Sequence, residues 1–375
     1  MTTTRRLVLS TVGISLLLQH AETDERGILN QSANLQTMPE HETMLKTIME
    51  RARTTLQSSN LRLIRRRSAE LNGLYALYQG QLSSNRHDIH LLVSSDTVLG
   101  QACVNLVADH LRGHNLIAQP IIPKKLTTAT SDAFESGIKD LIHQCAEIIP
   151  GYTEQGYEVV FNLVGGFKAL QGYLNTIGMF YADSILYLFE NDDAEPLFIP
   201  RLPISIDREA LTPYAVALAR MAEADAFVPL SELGSLQRTL YEPCDQQALI
   251  SQWGLLTWQQ VRQDLLGGQL LPFPKLRYEP GFIRDYNNTH IAEHRVRLQR
   301  QLAVISAELL ESDGNVAKLK SHGGIQYDNY VNKKIGNLPI GHFRISGDRR
   351  VSCIAHDGGL TLRHFGEHAY VNDNP

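Results

Sequence analysis

The sequence lacks several features that would place it in a common class. Its four cysteines, at positions 103, 145, 244 and 353, do not have the spacing of metal ligands. No apolar run reaches the roughly 18 residues that a membrane span requires. A glycine-x-glycine-x-x-glycine fingerprint is also missing, which disfavours a dehydrogenase. We therefore expect a reduced, cytoplasmic protein without a disulfide scaffold, a metal site or a membrane segment.

A secretory signal is the main alternative at the N-terminus. Arg5 and Arg6 precede an apolar run, as they do in signal peptides. The polar residues of the segment 10–15 interrupt that run, and no cleavage motif with small residues follows it. These interruptions favour a buried strand that turns into a helix.

Length and charge indicate more than one domain. The 375 residues are 43% hydrophobic, which is enough for two domain cores and a connector. Residues 272–375 carry 14 Lys and Arg against 11 Asp and Glu, a net charge of +3, whereas the whole chain has a net charge of -5, so residues 1–271 carry -8. Residues 272–375 also hold seven of the 14 histidines. A basic C-terminal segment that follows an acidic segment suggests contact with a polyanion.

The segment 159–170 predicts a strand, a glycine turn and a helix. An apolar run ends at Asn162 and is followed by Gly165, Gly166 and Lys168. Glycines let the backbone approach a ligand, the first helical turn has unpaired N–H groups, and lysine adds positive charge. The pattern is typical of an anion site, although a plain packing turn remains an alternative.

Two other segments repeat this arrangement. The first, 7–18, predicts a strand followed by Thr11, Gly13 and Ser15, and the second, 89–100, predicts a strand followed by Ser95 and Thr97. The hydroxyl residues can also serve as ordinary helix caps. Because parallel strands bring their carboxyl ends to one edge of a sheet, the three segments predict a doubly wound α/β domain with a nucleotide site at that edge.

Residues 1 to about 206 resemble the CARF family, the Rossmann-like sensor domains of CRISPR defence systems. The motifs that carry the resemblance are Ser10–Ser15, Ser94–Thr97, Phe161–Lys168, Tyr181–Glu190 and Ile199–Pro203. The family implies a homodimer that binds a cyclic oligoadenylate across its two-fold axis, and the resemblance favours cyclic tetra-adenylate as this ligand. The ligand-binding residues expected from the strand ends are Thr11, Gly13, Ser15, Ser95, Thr97, Asn162, Gly165, Gly166 and Lys168.

Residues 207–271 predict a helical connector. Apolar residues recur at helical spacing over 210–224, Pro229–Ser231 is typical of a helix start, and 244–266 predicts a third helix. Residues 201–271 hold five Arg, no Lys and eight acidic residues, which disfavours a basic DNA-reading helix. We expect the two tryptophans, 253 and 258, to pack. The acidic balance suggests docking on a basic partner surface, and we expect this surface on the ribosome.

Residues 272–375 predict an α+β domain. A short strand at 275–278 precedes a helical tract at 280–311, and three strands follow around 341–346, 349–355 and 359–366. Gly347-Asp348 and Asp357-Gly358 separate these strands as hairpin turns.

This domain resembles the RelE family of toxins, which cut messenger RNA in the ribosomal A site. The matching segments are 278–282, 343–345, 347–351 and 364–368. The family implies attack by the ribose 2'-hydroxyl on the adjacent phosphate, with no metal and no cofactor. The residues expected to be catalytic are Lys318, Lys320, Arg344, Arg350, His364 and His368. Arginine suits a phosphorane because its planar group holds two phosphate oxygens.

Structural roles remain open for several of these residues. Lys318 and Lys320 could offset a helix dipole, Arg350 could lie on a solvated hairpin, and His364 could be a hydrogen-bonded core histidine. Together the two resemblances imply a cytoplasmic, homodimeric, CRISPR-associated ribonuclease that a cyclic oligoadenylate activates allosterically on the ribosome. The alternative is a CARF transcription regulator that binds nucleic acid without cutting it.

Overall fold

The computed structural model describes residues 5–82, 87–189 and 195–375. The chain divides into two compact units, Met1–Ile204 and Ser205–Pro375, and both combine helices with a sheet. Among the described residues, no helix is long and apolar enough to cross a membrane. The mixed α/β class predicted from the sequence is confirmed.

The first unit contains six strands and eight helices among its described residues. The strands are β1 (Arg6–Thr11), β2 (Ile89–Val93), β3 (Ile117–Ile121), β4 (Glu158–Asn162), β5 (Ser184–Tyr187) and β6 (Leu197–Pro200). The helices are α1 (Ser15–Leu18), α2 (Thr23–Gln31), α3 (Glu42–Leu56), α4 (Leu61–Arg67), α5 (Ala69–Leu77), α6 (Val98–Gly113), α7 (Ser131–Glu154) and α8 (Lys168–Tyr181).

The strand order of this sheet is β3-β2-β1-β4-β5-β6. The first five strands are parallel, and only β6 pairs in the antiparallel sense. Nearly every residue of β1, β2 and β4 is buried, as expected for strands that are covered on both faces. The order reverses between β1 and β4, and ligands of doubly wound sheets bind outside the carboxyl ends of the strands at this reversal.

The second unit contains eight further strands and seven further helices. The strands are β7 (Val228–Pro229), β8 (Tyr241–Cys244), β9 (Gln247–Ile250), β10 (Leu276–Tyr278), β11 (Asp328–Ile335), β12 (Leu338–Arg344), β13 (Arg349–His356) and β14 (Gly359–Glu367). The helices are α9 (Arg208–Leu211), α10 (Ala215–Ala224), α11 (Gln252–Gly267), α12 (Pro280–Asn287), α13 (Ala292–Glu311), α14 (Ala317–Ser321) and α15 (His368–Asp373).

The main sheet of the second unit has the order β10-β14-β13-β12-β11. The predicted meander of β12, β13 and β14 is confirmed, with Asp357 and Gly358 at φ 50° and 67° in the turn, both in the left-handed region that aspartate and glycine tolerate. The strand β11 was not predicted because its side chains are mostly exposed and do not alternate between apolar and polar. Phe343, Val351 and Phe365 form one buried row across three strands.

The segment 207–271 is not purely helical. Its residues 241–250 form the strands β8 and β9, which pair with β7, so the helix predicted for 244–266 starts only at Gln252. The segment lies inside the second unit, where α10 and α11 pack against α13. Trp258 is fully buried and donates to Glu223, which also accepts from Arg300 of α13. Trp258 therefore packs, as expected.

Candidate functional site

The carboxyl ends of β1 and β4 come into close backbone contact in the first unit. A Cβ atom on Gly13 would lie 3.1 Å from the Cα of Gly166, and one on Gly165 would lie 2.7 Å from the carbonyl oxygen of Thr11. Gly166 also has φ +84°, a conformation that favours glycine. Side chains are thus excluded where the strand order reverses, and the backbone of both loops forms the surface there.

The N-terminus of α8 adjoins these glycines. Its N-cap residue, Phe167, makes no side-chain capping bond, so the first helical N–H groups have no cap from that residue. Lys168 is the first residue of the helix and is exposed. Gln171 donates from Nε2 to the carbonyl oxygen of Gly165 at 2.7 Å, which fixes the loop against the helix. These features form a positively polarised helix end with a lysine beside it.

Three of the predicted ligand-binding residues are fully buried. Thr11 donates from Oγ1 to the carbonyl oxygen of Gly165 at 2.6 Å, and Thr97 accepts at Oγ1 from the N–H of Gly100 at 3.1 Å. Asn162 donates from Nδ2 to Ser10 Oγ at 3.1 Å and to the carbonyl oxygen of Glu70 at 3.0 Å. These side chains support the sheet edge from within, because none of them reaches its surface.

Ser15 and Ser95 are the predicted hydroxyl residues that remain partly exposed. Ser15 is the first residue of the short helix α1. Ser95 lies 3.0 Å from Thr97 between their hydroxyl oxygens, at the carboxyl end of β2. With Gly13, Gly166 and Lys168 they form the exposed part of the predicted ligand set, which we call the sheet-edge site.

Glu70 is a buried acid beneath this site that the sequence did not indicate. It is 0% exposed, and neither carboxylate oxygen has a hydrogen-bond partner among the described residues. A Cβ atom on Gly165 would lie 2.7 Å from Glu70 Oε2. Burial raises the pKa of Glu70 to about 7. No motif in the sequence signals such a residue, since it lies 95 positions before Gly165.

Aromatic side chains lie beside the start of α8. The ring of Phe134 has its centroid 5.9 Å from that of Phe167 and 5.4 Å from that of Tyr173, both in edge-to-face geometry. All three residues are partly exposed. An aromatic surface next to a polarised helix end suits a ligand that combines bases with phosphates.

The structure brings Arg344 and Arg350 of the second unit together. They are directly opposite each other on β12 and β13, and Gly366 of β14 lies opposite Arg350. Arg350 donates from Nη1 to Asn372 Oδ1 at 2.8 Å, and Tyr330 donates from its hydroxyl to the same oxygen at 2.9 Å. Asn372 belongs to α15, so this helix holds one arginine in place while the exposed Arg344 stays open to a ligand.

His368 lies beside the two arginines at the start of α15. Its Nδ1 atom is 3.1 Å from Asn372 Nδ2. Loss of hydration, followed by the positive charges of Arg350, His342 and Arg344, lowers the pKa of His368 below its usual value. A cation-rich surface with a histidine whose proton is easily released can bind a phosphate and supply a proton to it. We call Arg344, Arg350 and His368 the arginine-histidine cluster.

The two predicted lysines lie on the short helix α14. Lys320 is exposed, and its Nζ is 3.7 Å from Asp328 Oδ1, whose residue pairs with His342 in the sheet. Lys318 is exposed as well, and no contact between its side chain and the arginine-histidine cluster is present among the described residues. Lys320 is therefore linked through Asp328 to His342, which lies two residues before Arg344 on β12.

His364 contacts an acid that sequence reasoning missed. Its Nδ1 atom is 2.9 Å from Asp285 Oδ2, and Tyr370 donates from its hydroxyl to Asp285 Oδ1 at 2.9 Å. His364 is opposite Ser352 in the sheet, two residues before Gly366, so it shares a sheet face with Arg350. Asp285 lies 79 residues before His364, and only the pattern of α12 could have placed the two together.

No cluster of three or more His, Cys, Asp or Glu side chains suited to a metal ion is present in the described part of the chain. In comparisons with known proteins, residues 65–202 match the family model described as CRISPR-associated protein (Cas_APE2256). No curated protein matches the chain. The matched segment includes Glu70, Ser95, Thr97 and the whole glycine loop with Lys168, and it supports an association of this chain with CRISPR systems.

Proposed function

We propose that the chain is a CRISPR-associated ribonuclease that cyclic oligoadenylate activates and that cleaves mRNA on the ribosome. The observation that carries the enzymatic part is the pairing of Arg344 with Arg350 across β12 and β13, beside His368. Neither arginine forms an ion pair with a carboxylate among the described residues. Both positive charges are therefore available to stabilise an anion such as a phosphodiester.

The sheet-edge site is the proposed sensor of the first unit. Close glycine backbones, an N-terminus of α8 without a side-chain cap, and Lys168 favour an anion with several phosphates. The partly exposed Phe134 and Phe167 add surfaces on which bases can stack. A cyclic oligoadenylate combines both groups, and cyclic tetra-adenylate is the ring size that the CARF resemblance implies.

A homodimer is part of this proposal. The strand β6 ends the sheet, and its apolar side chains Leu197, Phe198 and Ile199 are 44%, 44% and 36% exposed. An exposed apolar edge strand is unfavourable in a monomer, and pairing with a second copy would cover it. Cyclic oligoadenylate would then bind across the two-fold axis and shift the population toward the active arrangement.

Cleavage would follow the metal-independent route of 2'-hydroxyl attack. The proton of the 2'-hydroxyl passes to a base, O2' forms a bond to phosphorus, and the bond from phosphorus to O5' breaks. Arg344 and Arg350 stabilise the phosphorane, and protonated His368 gives its proton to O5'. The products are a 2',3'-cyclic phosphate and a 5'-hydroxyl, so every atom and proton is accounted for.

The deciding experiment incubates the protein with translating ribosomes and mRNA, with and without cyclic tetra-adenylate. We expect cuts in the mRNA only with the activator, ends carrying a 2',3'-cyclic phosphate, and cleavage that persists in EDTA on a substrate that does not itself need magnesium. Ends with a 3'-hydroxyl would contradict the mechanism. Activator-dependent binding to nucleic acid without any cleavage would favour a CARF transcription regulator instead.

A further inference from the structure

Asp285 connects three groups next to the arginine-histidine cluster. Its Oδ2 atom lies 2.9 Å from His364 Nδ1 and accepts from the backbone N–H of Phe365 at 3.1 Å, and its Oδ1 atom accepts from the Tyr370 hydroxyl at 2.9 Å. The side chain of Asp285 is 11% exposed and that of His364 is 19% exposed. Three contacts, two from β14 and one from α15, hold this carboxylate at one position.

This contact fixes the tautomer of the histidine. An ionised carboxylate only accepts hydrogen bonds, so the proton of neutral His364 has to be on Nδ1. The Nε2 atom then carries the lone pair, and it has no hydrogen-bond partner among the described residues. A Cβ atom on Gly281 would lie 2.7 Å from His364 Cε1 and 3.1 Å from Nε2. Glycine at this position therefore leaves the imidazole room.

We propose that His364 is the proton acceptor of the cleavage reaction and that Asp285 is its positioning residue. The inference rests on the ribonuclease function proposed above. Nε2 of His364 takes the proton of the 2'-hydroxyl while O2' bonds to phosphorus, and His368 protonates the leaving O5'. His364 lies on the same sheet face as Arg350, with one residue pair between them along β13 and β14.

The charged surroundings of His364 come from two helices and its own strand. Asp285 and Arg284 belong to α12, Tyr370 belongs to α15, and the neighbouring Arg363 pairs with Glu279 at 3.3 Å. Burial, followed by the hydrogen bond to Asp285 and the negative charge of Asp285, raises the pKa of Tyr370 above its usual value. The tyrosine therefore stays neutral and keeps donating to Asp285 when the histidine accepts a proton.

The first test is the nitrogen NMR spectrum of the His364 imidazole in the wild-type protein, assigned by comparison with His364→Gln. We expect the neutral imidazole to carry its proton on Nδ1, with a bare Nε2. In Asp285→Asn the side-chain amide can donate to Nδ1, which moves the proton to Nε2. A wild-type spectrum with the proton on Nε2 overturns the proposal, whether or not any variant folds.

The second test is cleavage by the full chain with ribosomes and cyclic tetra-adenylate. Asp285→Asn should slow cleavage by roughly a hundredfold or more, in the range of general base catalysis, with RNA affinity unchanged. Adding the same substitution to His364→Gln should cost little more, because Asp285 acts through the histidine. Asp357→Asn is the matched control: it alters a His–Asp contact of 2.6 Å, with His356, in the hairpin of the same strands.

The outcomes separate this inference from the function on which it depends. A folded Asp285→Asn protein that cleaves within about threefold of the wild type overturns the positioning role and leaves the ribonuclease in place. Additive losses in the double variant also overturn it, because they assign Asp285 an independent role. A wild-type protein that never cleaves RNA overturns both proposals together.

Discussion

Lys168 is an exposed cation of the sheet-edge site, and we expect it to contact the bound anion. Replacing it by alanine should weaken the binding of cyclic tetra-adenylate by about 1 to 2 kcal/mol, the size of one charge-assisted contact, and should leave dimerisation intact. Calorimetry measures the affinity. The control is Lys46→Ala on α3, which removes an exposed lysine that forms an ion pair with its helix neighbour Glu42. Equal affinity in the two folded variants would rule out an anion contact of Lys168.

The burial of Glu70 predicts that the stability of the protein depends on pH. Burial raises its pKa from 4.5 to about 7, so the folded state holds the proton more tightly than the unfolded chain. Its stability contribution is therefore complete below pH 4.5 and is lost as the pH rises toward 7. The glutamine of Glu70→Gln cannot ionise, so the free energy of unfolding of this variant should exceed that of the wild type by up to about 3 kcal/mol at about pH 8.

Denaturant unfolding of both proteins at several pH values measures this difference. The two free energies of unfolding should converge below about pH 4.5, where the wild-type acid is protonated in both states, and diverge above it. Other titrating groups contribute equally to both proteins and cancel in the comparison. A difference that does not change with pH would show that Glu70 stays ionised in the folded protein.

His368 predicts the pH dependence of cleavage. Loss of hydration, followed by the charges of Arg350, His342 and Arg344, lowers its pKa below 6.5. Only the protonated form can give a proton to O5', so its share and the cleavage rate should fall as the pH rises through that lowered pKa. His368→Ala should cut the rate by roughly a hundredfold or more and remove this pH dependence, with activator affinity unchanged. An unaltered pH profile in the variant would exclude His368 as the acid.

The residues of helix α15 contact three strands of the sheet. Asn372 accepts from Arg350 of β13 and Tyr330 of β11 and lies beside His368, while the ring of Tyr370 packs on Gly366 of β14. Asn372→Ala removes the acceptor that orients Arg350 and should reduce cleavage at least tenfold, about 1.4 kcal/mol of transition-state stabilisation. Cleavage assays with saturating RNA measure this loss.

Asn374→Ala is the matched control for that element. Asn374 follows the same helix and donates to the carbonyl oxygen of Tyr370, and among the residues that the structure describes its side chain makes no contact with Arg350. We expect it to cleave at the wild-type rate. Similar losses in both variants would indicate that α15 matters for folding and not for the position of Arg350.

The predictability of the elements depended on how completely they are buried. The strands β1, β2 and β4 are continuous apolar runs that end in polar caps, and the sequence located them within a residue or two. The strand β9 has only four residues and lies just before α11. Its apolar residues were therefore assigned to the helix predicted for 244–266. Short or exposed strands have no periodic signal of their own, and pairing with neighbours determines them.

The candidate sites were predictable to a similar degree. Glycines and caps at strand ends are local signals, so Gly13, Gly166 and Lys168 could be placed at one sheet edge. Whether a polar side chain at that edge points outward is decided by packing: Asn162 faces Ser10 and α5, and Thr11 faces Gly165. Asp285 escaped detection because its partner His364 is distant in sequence and a contact between a helix and a strand leaves no local pattern.

The packing of the acidic segment 207–271 decides how its docking can be tested. Because α10 and α11 pack against α13, the segment is part of the second unit, and its replacement by an unrelated spacer would disrupt that unit. The proposed docking on a basic surface of the ribosome would have to use the exposed acidic side chains of this segment. Glu209, Asp225 and Asp245 are exposed. Asp225 and Asp245 have φ 48° and 54°, which asparagine also tolerates.

The last prediction therefore uses a triple substitution of these acids, Glu209→Gln with Asp225→Asn and Asp245→Asn. If the segment docks electrostatically on a basic surface, removal of three charges should weaken ribosome association severalfold, and the loss should shrink at high salt, where the wild-type contact is itself screened. Co-sedimentation with ribosomes at two salt concentrations measures this. Cleavage of ribosome-free RNA, where it occurs, should not change.

A triple variant of the first unit is the control, with Glu40, Glu147 and Glu154 each replaced by glutamine. These three acids are exposed, and the substitutions change the net charge of the chain by the same amount as the first set. A non-specific charge effect would alter ribosome association equally in both triple variants. Loss confined to the first set locates the contact on residues 207–271, whereas unchanged association in both would leave that segment the purely structural role that its packing on α13 already gives it.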